Sequence, residues 1–174
     1  NTTTANTIAG ISAMSANDVV EVVVYDVFSV FSGDISGDLA VGANLSVTGD
    51  YSSTTSGTSN LRLGVNAGNS IASGGNYNVT IGDEAGTALT TGDNNVAIGY
   101  SALKTEDADG NNTAVGTNSL YTLNAGSSAA NTAVGLNSGY SLSTGVNNTY
   151  IGAVSGKDAT TGARNTALGY YSGA

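Results

Sequence analysis

From Asn60 onward, polar and apolar positions return in a fixed order: Asn, any residue, a variable third position, an aliphatic residue, Gly, two variable residues, then Ala or Ser. The seven copies are Asn60-Leu61-Arg62-Leu63-Gly64, Asn78-Val79-Thr80-Ile81-Gly82, Asn95-Val96-Ala97-Ile98-Gly99, Asn112-Thr113-Ala114-Val115-Gly116, Asn131-Thr132-Ala133-Val134-Gly135, Asn148-Thr149-Tyr150-Ile151-Gly152 and Asn165-Thr166-Ala167-Leu168-Gly169. Their leading Asn residues are spaced by 18, 17, 17, 19, 17 and 17 positions. A unit that short, repeated that often, predicts a stack of coils in which each repeat covers its neighbours.

Each column carries an expectation. Leu63, Ile81, Ile98, Val115, Val134, Ile151 and Leu168 alternate with Leu, Val or Thr two residues earlier, so both sets share one face of a short strand, which is read as the core. The small third column is placed on the opposite face, against a close-lying strand. Gly64, Gly82, Gly99, Gly116, Gly135, Gly152 and Gly169 are expected where the backbone turns sharply or where a Cβ would clash. Only small residues stand three places after them, at Ala67, Ala85, Ala102, Ser119, Ser138, Ser155 and Ser172. Asn60, Asn78, Asn95, Asn112, Asn131, Asn148 and Asn165 are expected to hydrogen-bond the turn backbone as a ladder of amides. Turn-rich stretches such as Thr90-Thr91-Gly92-Asp93-Asn94 complete the repeat, giving a β-roll coil of two short strands and two turns. Length variation is assigned to loops at 104–111 and 123–130.

The first third of the chain has another grammar. Asp18 to Phe28 is a β-branched run that predicts one strand buried on most of both faces. Ile8, Ile11 and Met14 have the spacing of a helical turn. Residues 1–32 are read as a small trimerising β knob, and 33–59 as a short intertwined β shaft with a Ser/Thr/Gly-rich linker at 51–59. Residues 60–174 form the repeat β-roll. The fold class expected is therefore all-β, a homotrimeric fibre.

Composition supports a shared core. Trp is absent, aromatics are 6%, and 25 Gly accompany many Ala, Ser, Thr and Asn, so an isolated compact monomer has little area to bury. Four Lys and Arg against thirteen Asp and Glu give a net charge of −9, unsuited to a phosphate backbone. Cys, His and Pro are missing, which removes disulfides, thiolate nucleophiles, imidazole bases and most zinc sites. No apolar run approaches the roughly 20 residues of a membrane-spanning helix. The start at Asn1-Thr2-Thr3-Thr4 reads as a piece of something longer.

Over residues 60–174, the Asn-Thr-Ala-Val-Gly units joined by Thr-Gly-x-Asn-Asn turns resemble the head repeats of trimeric autotransporter adhesins and the similar repeats of bacteriophage tail fibres. The unit-like Asn6-Thr7-Ile8-Ala9-Gly10 has Ile and Ala in swapped columns and is not counted. The run from Ile11 to Asp26 resembles segments of tail fibres from phages of marine bacteria, and Leu39 to Asp50 is similar to fibre shafts. The resemblance implies a parallel, in-register homotrimer located in the virion, extracellular, and linking it to a host surface. The expected partners are the chain itself, other tail or fibre proteins and a host-surface glycan or protein, with no nucleic acid and no membrane insertion. A bacterial trimeric adhesin head or extracellular filament is the alternative.

Catalysis would need a base, a nucleophile or paired carboxylates in a pocket. The sets Asp83-Glu84 and Glu106-Asp107-Asp109 are the candidates, and both are read as solvated loops. The second lacks the spacing of an EF-hand loop, and Gly74-Gly75-Asn76 lacks the Asp of the calcium-binding nonapeptide, so neither a metal nor a cofactor is expected. Thr113, Thr132, Thr149 and Thr166 are expected to pack inward beside the aliphatic column rather than form an ice-binding array. Tyr100, Tyr121, Tyr140, Tyr150, Tyr170 and Tyr171 are read as half-buried surface groups rather than a sugar platform.

Overall fold

The computed structural model describes residues 2–4, 7–8, 55–126 and 129–173. They belong to two units, Asn1–Ser46 and Val47–Ala174. In the first, β1 (Thr2–Thr4) pairs antiparallel with β2 (Thr7–Ile8). Ile8 therefore lies in a strand, not in the helical turn its spacing suggested. The strand expected at 18–28, the shaft and residues 51–54 of the linker fall outside the described residues.

In the second unit, seven three-residue strands form one sheet in chain order. They are β3 (Leu61–Leu63), β4 (Val79–Ile81), β5 (Val96–Ile98), β6 (Thr113–Val115), β7 (Thr132–Val134), β8 (Thr149–Ile151) and β9 (Thr166–Leu168). Every neighbouring pair is parallel and in register, so Val96 stands beside Val79 and Thr113, and Ala97 beside Thr80 and Ala114. One strand per repeat, each stacked on the last, makes this part of the chain a parallel β-solenoid. Among the described residues there is no helix.

The ladder runs in both directions from each strand. Val96 N–H donates to the Asn112 carbonyl at 2.8 Å, while Gly99 N–H donates back to the Ile81 carbonyl at 2.7 Å. Gly99 ends its strand with φ 129°, and a Cβ built there would stand 2.7 Å from the carbonyl carbon of Gly116. Stacked backbones this close admit no side chain, which accounts for the Gly column.

The other side of the coil is not a second strand. Ser101 and Leu103 both have φ 52°, and Asn118 and Leu120 have φ 54° and 50°, so left-handed residues alternate with others along the return path. This backbone stacks nonetheless: Ser101 N–H donates to the Asp83 carbonyl and Leu103 N–H to the Ser119 carbonyl, each at 2.9 Å. A left-handed leucine costs roughly 1–2 kcal/mol. Inter-coil hydrogen bonds and the burial of Leu103 and Leu120 offset it.

Within the chain the two strand faces are the reverse of the expectation. Thr80, Ala97, Ala114, Ala133 and Tyr150, the third column, fill the interior with Ala67, Ala85, Ala102, Ser119, Ser138 and Ser155 opposite. The Ser hydroxyls find partners in the next coil: Ser119 Oγ donates to the Ala133 carbonyl and Ser138 Oγ to the Tyr150 carbonyl, both at 2.9 Å. Ile71, Leu89, Leu123 and Leu142 complete this core. The aliphatic column faces outward, with Leu63 43%, Ile151 39% and Leu168 64% exposed and Ile81, Ile98, Val115 and Val134 half-buried. Leucines and Ile71 of the turns and return path already fill much of each coil, so the strand adds mostly small residues to its inside.

The interior obeys a size rule from coil to coil. Ala97 and Ala114 belong to coils with Leu103 and Leu120 on the return path, whereas Thr80 and Tyr150 belong to coils with Gly86 and Gly156. A Cβ at Gly86 would stand 2.8 Å from Thr80 Cγ2, and one at Gly156 would stand 2.6 Å from Tyr150 Cε1. A large residue on the strand thus requires glycine across from it, as close packing demands.

Candidate functional site: the outward sheet face

Outward alternation along seven in-register strands gathers Leu61 and Leu63, Val79 and Ile81, Val96 and Ile98 into one continuous face. It continues through Thr113 and Val115, Thr132 and Val134, Thr149 and Ile151, and Thr166 and Leu168. The Thr column does share the aliphatic face, but that face points away from the coil interior. Val65, Tyr100 and Leu136, each the residue after a column glycine, add apolar surface and are 68%, 54% and 52% exposed. The face carries no charged residue in either column, and none occurs anywhere from Gly110 to Gly156.

The Asn column ties the coils together at the start of each strand. Asn78 Oδ1 accepts the Asn95 N–H and its Nδ2 donates to the Gly92 carbonyl, both at 2.8 Å. Asn131 repeats this with the Asn148 N–H at 2.9 Å and the Gly145 carbonyl at 2.8 Å. Asn60, Asn78, Asn95, Asn112, Asn131 and Asn148 are buried, and Asn165, in the last coil, is exposed.

A polar edge lies on the return path. Lys104 pairs with Glu84, lowering the Glu84 pKa through the hydrogen bond and charge of the ammonium. Its Nζ stands 5.7 Å from the Tyr121 ring centroid. Tyr121 and Tyr140 stack with centroids 5.1 Å apart and planes 11° from parallel. Stacking occupies one face of each ring.

The acidic set at 106–109 departs from its reading as a solvated loop. Glu106 is wholly buried and Asp109 is 4% exposed. Counting seven residues from each column glycine gives Ile71, Leu89, Glu106, Leu123, Leu142 and Ala159, so Glu106 occupies a position that leucine or isoleucine fills in four other coils. That register was the sequence signal for its burial. Glu106 Oε1 accepts the Asp109 N–H at 2.9 Å, while Glu106 Oε2 and Asp109 Oδ2 have no partner at full hydrogen-bond geometry among the described residues, the backbone amides of Ala125 and Gly126 being the nearest donors. Burial, with the nearby carboxylates of Asp109 and Asp107 adding to it, raises the Glu106 pKa to about 7. Burial likewise raises that of Asp109. Tyr150, expected at the surface, is instead a core residue, 1% exposed.

Among the described residues, no three acidic, His or Cys side chains gather where they could hold a metal ion. No protein-family model matches the chain, and comparisons with curated proteins and with solved structures return no match. What the geometry defines is a repetitive scaffold with one uncharged apolar face.

Proposed function

We propose that the chain is a structural module of a homotrimeric phage tail fibre that helps attach the virion to a host cell surface, and that it is not an enzyme. The observation that carries the oligomeric part is the outward face: seven in-register strands present aliphatic side chains to water in the single chain. Fully burying an exposed Val, Leu or Ile side chain contributes about 1.5–3 kcal/mol, and covering this face adds a part of that at each half-buried residue and more at Leu63, Ile151 and Leu168.

The occupant we assign is further copies of the same chain, parallel and in register. A column of identical spacing meets its own copy without misfit, and the absence of charge from the face removes the repulsion that a net −9 chain would otherwise bring to self-association. The fibre and attachment roles rest on the resemblance of the repeats and of residues 11–26 to tail-fibre segments.

The first test is the mass of the chain by light scattering on a sizing column. Each chain is 17.0 kDa, and a particle of three times that mass supports the trimer. A well-folded monomer would end the fibre reading. The viral role is tested by antibodies raised to the chain: decoration of slender tail appendages supports it, and decoration of bacterial surface filaments instead transfers the module to an adhesin.

A further inference from the structure

Buried carboxyl oxygens need a proton, a donor or a cation, and Glu106 Oε2 and Asp109 Oδ2 have no hydrogen-bond partner among the described residues. Both side chains belong to one turn of the coil that begins at Asn95. The Asp109 N–H is fixed by Glu106 Oε1, and the Asp109 carbonyl accepts Asn95 Nδ2 at 2.8 Å, so the turn is bound to the Asn ladder itself. On its other side, Thr90 Oγ1 donates to the Asp107 carbonyl at 2.9 Å. A change at the pair is therefore felt by two coils.

We propose that Glu106 and Asp109 form a proton-held latch: a shared proton keeps segment 104–111 closed on the stack, and its loss loosens that segment locally.

No cation stands ready to replace the proton. Lys104, on the same segment, is engaged by Glu84. Asp107 on the same turn is acidic, the preceding coil contributes Asp83, Glu84 and Asp93, and the following coil has no charged residue, only the Ala125 and Gly126 backbone amides, which favour the ionised carboxylates less than burial disfavours them. Two ionised carboxylates in one buried turn repel each other and lose hydration, while a singly protonated pair supplies its own donor.

The direction of the pH effect follows from linkage. The closed segment holds its proton up to about pH 7, and the opened segment releases it in the ordinary carboxylate range. Below that range both forms are protonated and the latch is fully closed. Between the two values the closed form alone retains the proton, so opening becomes easier by up to about tenfold per pH unit for one proton. Above about pH 7 the effect levels off.

Hydrogen-exchange protection of peptides covering 104–111, corrected for intrinsic rates, reads this on the whole chain between pH 4.5 and 8.5. The expected result is protection that falls through this window in the wild type and is flat in Glu106→Gln, which keeps a donor at every pH. Glu106→Leu should be protected throughout. A wild-type profile without slope overturns the latch, as does a slope that survives in Glu106→Gln. Should Glu106→Gln not fold, the wild-type profile is joined by the infrared band of a protonated carboxyl at pH 6, whose absence also overturns it. Restoration of protection at pH 8 by calcium chloride, reversed by chelation, would show that a cation holds the pair and would replace the proton.

Discussion

The ring of Tyr150 lies over Gly139 of the preceding coil: a Cβ built on that glycine would stand 3.2 Å from Tyr150 Cδ2 and 2.8 Å from Leu120 Cδ2. Side chains from the coils on either side converge on the space that Gly139 leaves open, so its own φ of 60° and the bulk of its neighbours both exclude a side chain.

Gly139→Ala should therefore destabilise the solenoid by about 2–4 kcal/mol, combining a left-handed alanine with an overpacked interior. Gly126→Ala provides the contrast. Its φ is 70° but nothing among the described residues lies within 4 Å of the new Cβ, so only the backbone cost of roughly 1–2 kcal/mol is expected. Denaturant unfolding of the two variants side by side checks the difference, and equal losses would remove the packing argument.

Tyr150→Phe should be neutral or stabilising by about 1 kcal/mol. The hydroxyl is buried and has no partner at full hydrogen-bond geometry among the described residues, the Asn165 side chain being its nearest polar neighbour. Removing an unsatisfied polar atom while keeping the ring spares its desolvation. Tyr150→Ala should cost about 3–5 kcal/mol, because two glycines face the cavity it leaves. Thermal melting distinguishes these outcomes.

Asn131→Ala leaves the Asn148 N–H and the Gly145 carbonyl without their bonds from this amide inside the stack. A loss of about 2–4 kcal/mol is expected, as two buried groups go unpaired. At the exposed Asn165 the same substitution should cost less than about 1 kcal/mol. If both variants melt alike, the ladder is ornamental to stability.

Ile98→Asp places a carboxylate on the outward face, and Ala114→Asp places one in the coil interior. The first should leave the single chain folded, with unchanged far-ultraviolet circular dichroism, while, on the trimer proposed above, the mass falls from three chains to one. The second should abolish folding by burying an unpaired charge. An Ile98→Asp protein that remains trimeric would take this face out of the interface.

Much of the solenoid is legible in the repeat. Asn residues every 17 to 19 positions and a glycine four residues later set the coil length and place each strand, and alternation divides the strand residues between two faces. Alternation is silent on which face is inside. Ile98 and Ala97 differ in hydrophobicity in the direction that favours Ile98 as core, yet Ala97 is enclosed and Ile98 is half-exposed. The return path was hidden for a related reason: Leu103 and Leu120 look like strand residues, and their left-handed backbones are stable only because neighbouring coils hydrogen-bond them.

The candidate features divide along the same line. Glu106 looks like one of three loop acids until it is counted from Gly99, and Tyr150 looks like a surface aromatic until Gly156 and Gly139 are found opposite it. By itself the sequence determined the period, the turn glycines and the Asn column, because these are demands of the local backbone and recur wherever it does. Tertiary structure alone decided which strand face is enclosed, which side chains exchange volume across the coil, and that Asp109 is buried beside Glu106. Those outcomes depend on how the inside of a closed coil is filled, a property no single repeat possesses until its neighbours stack upon it.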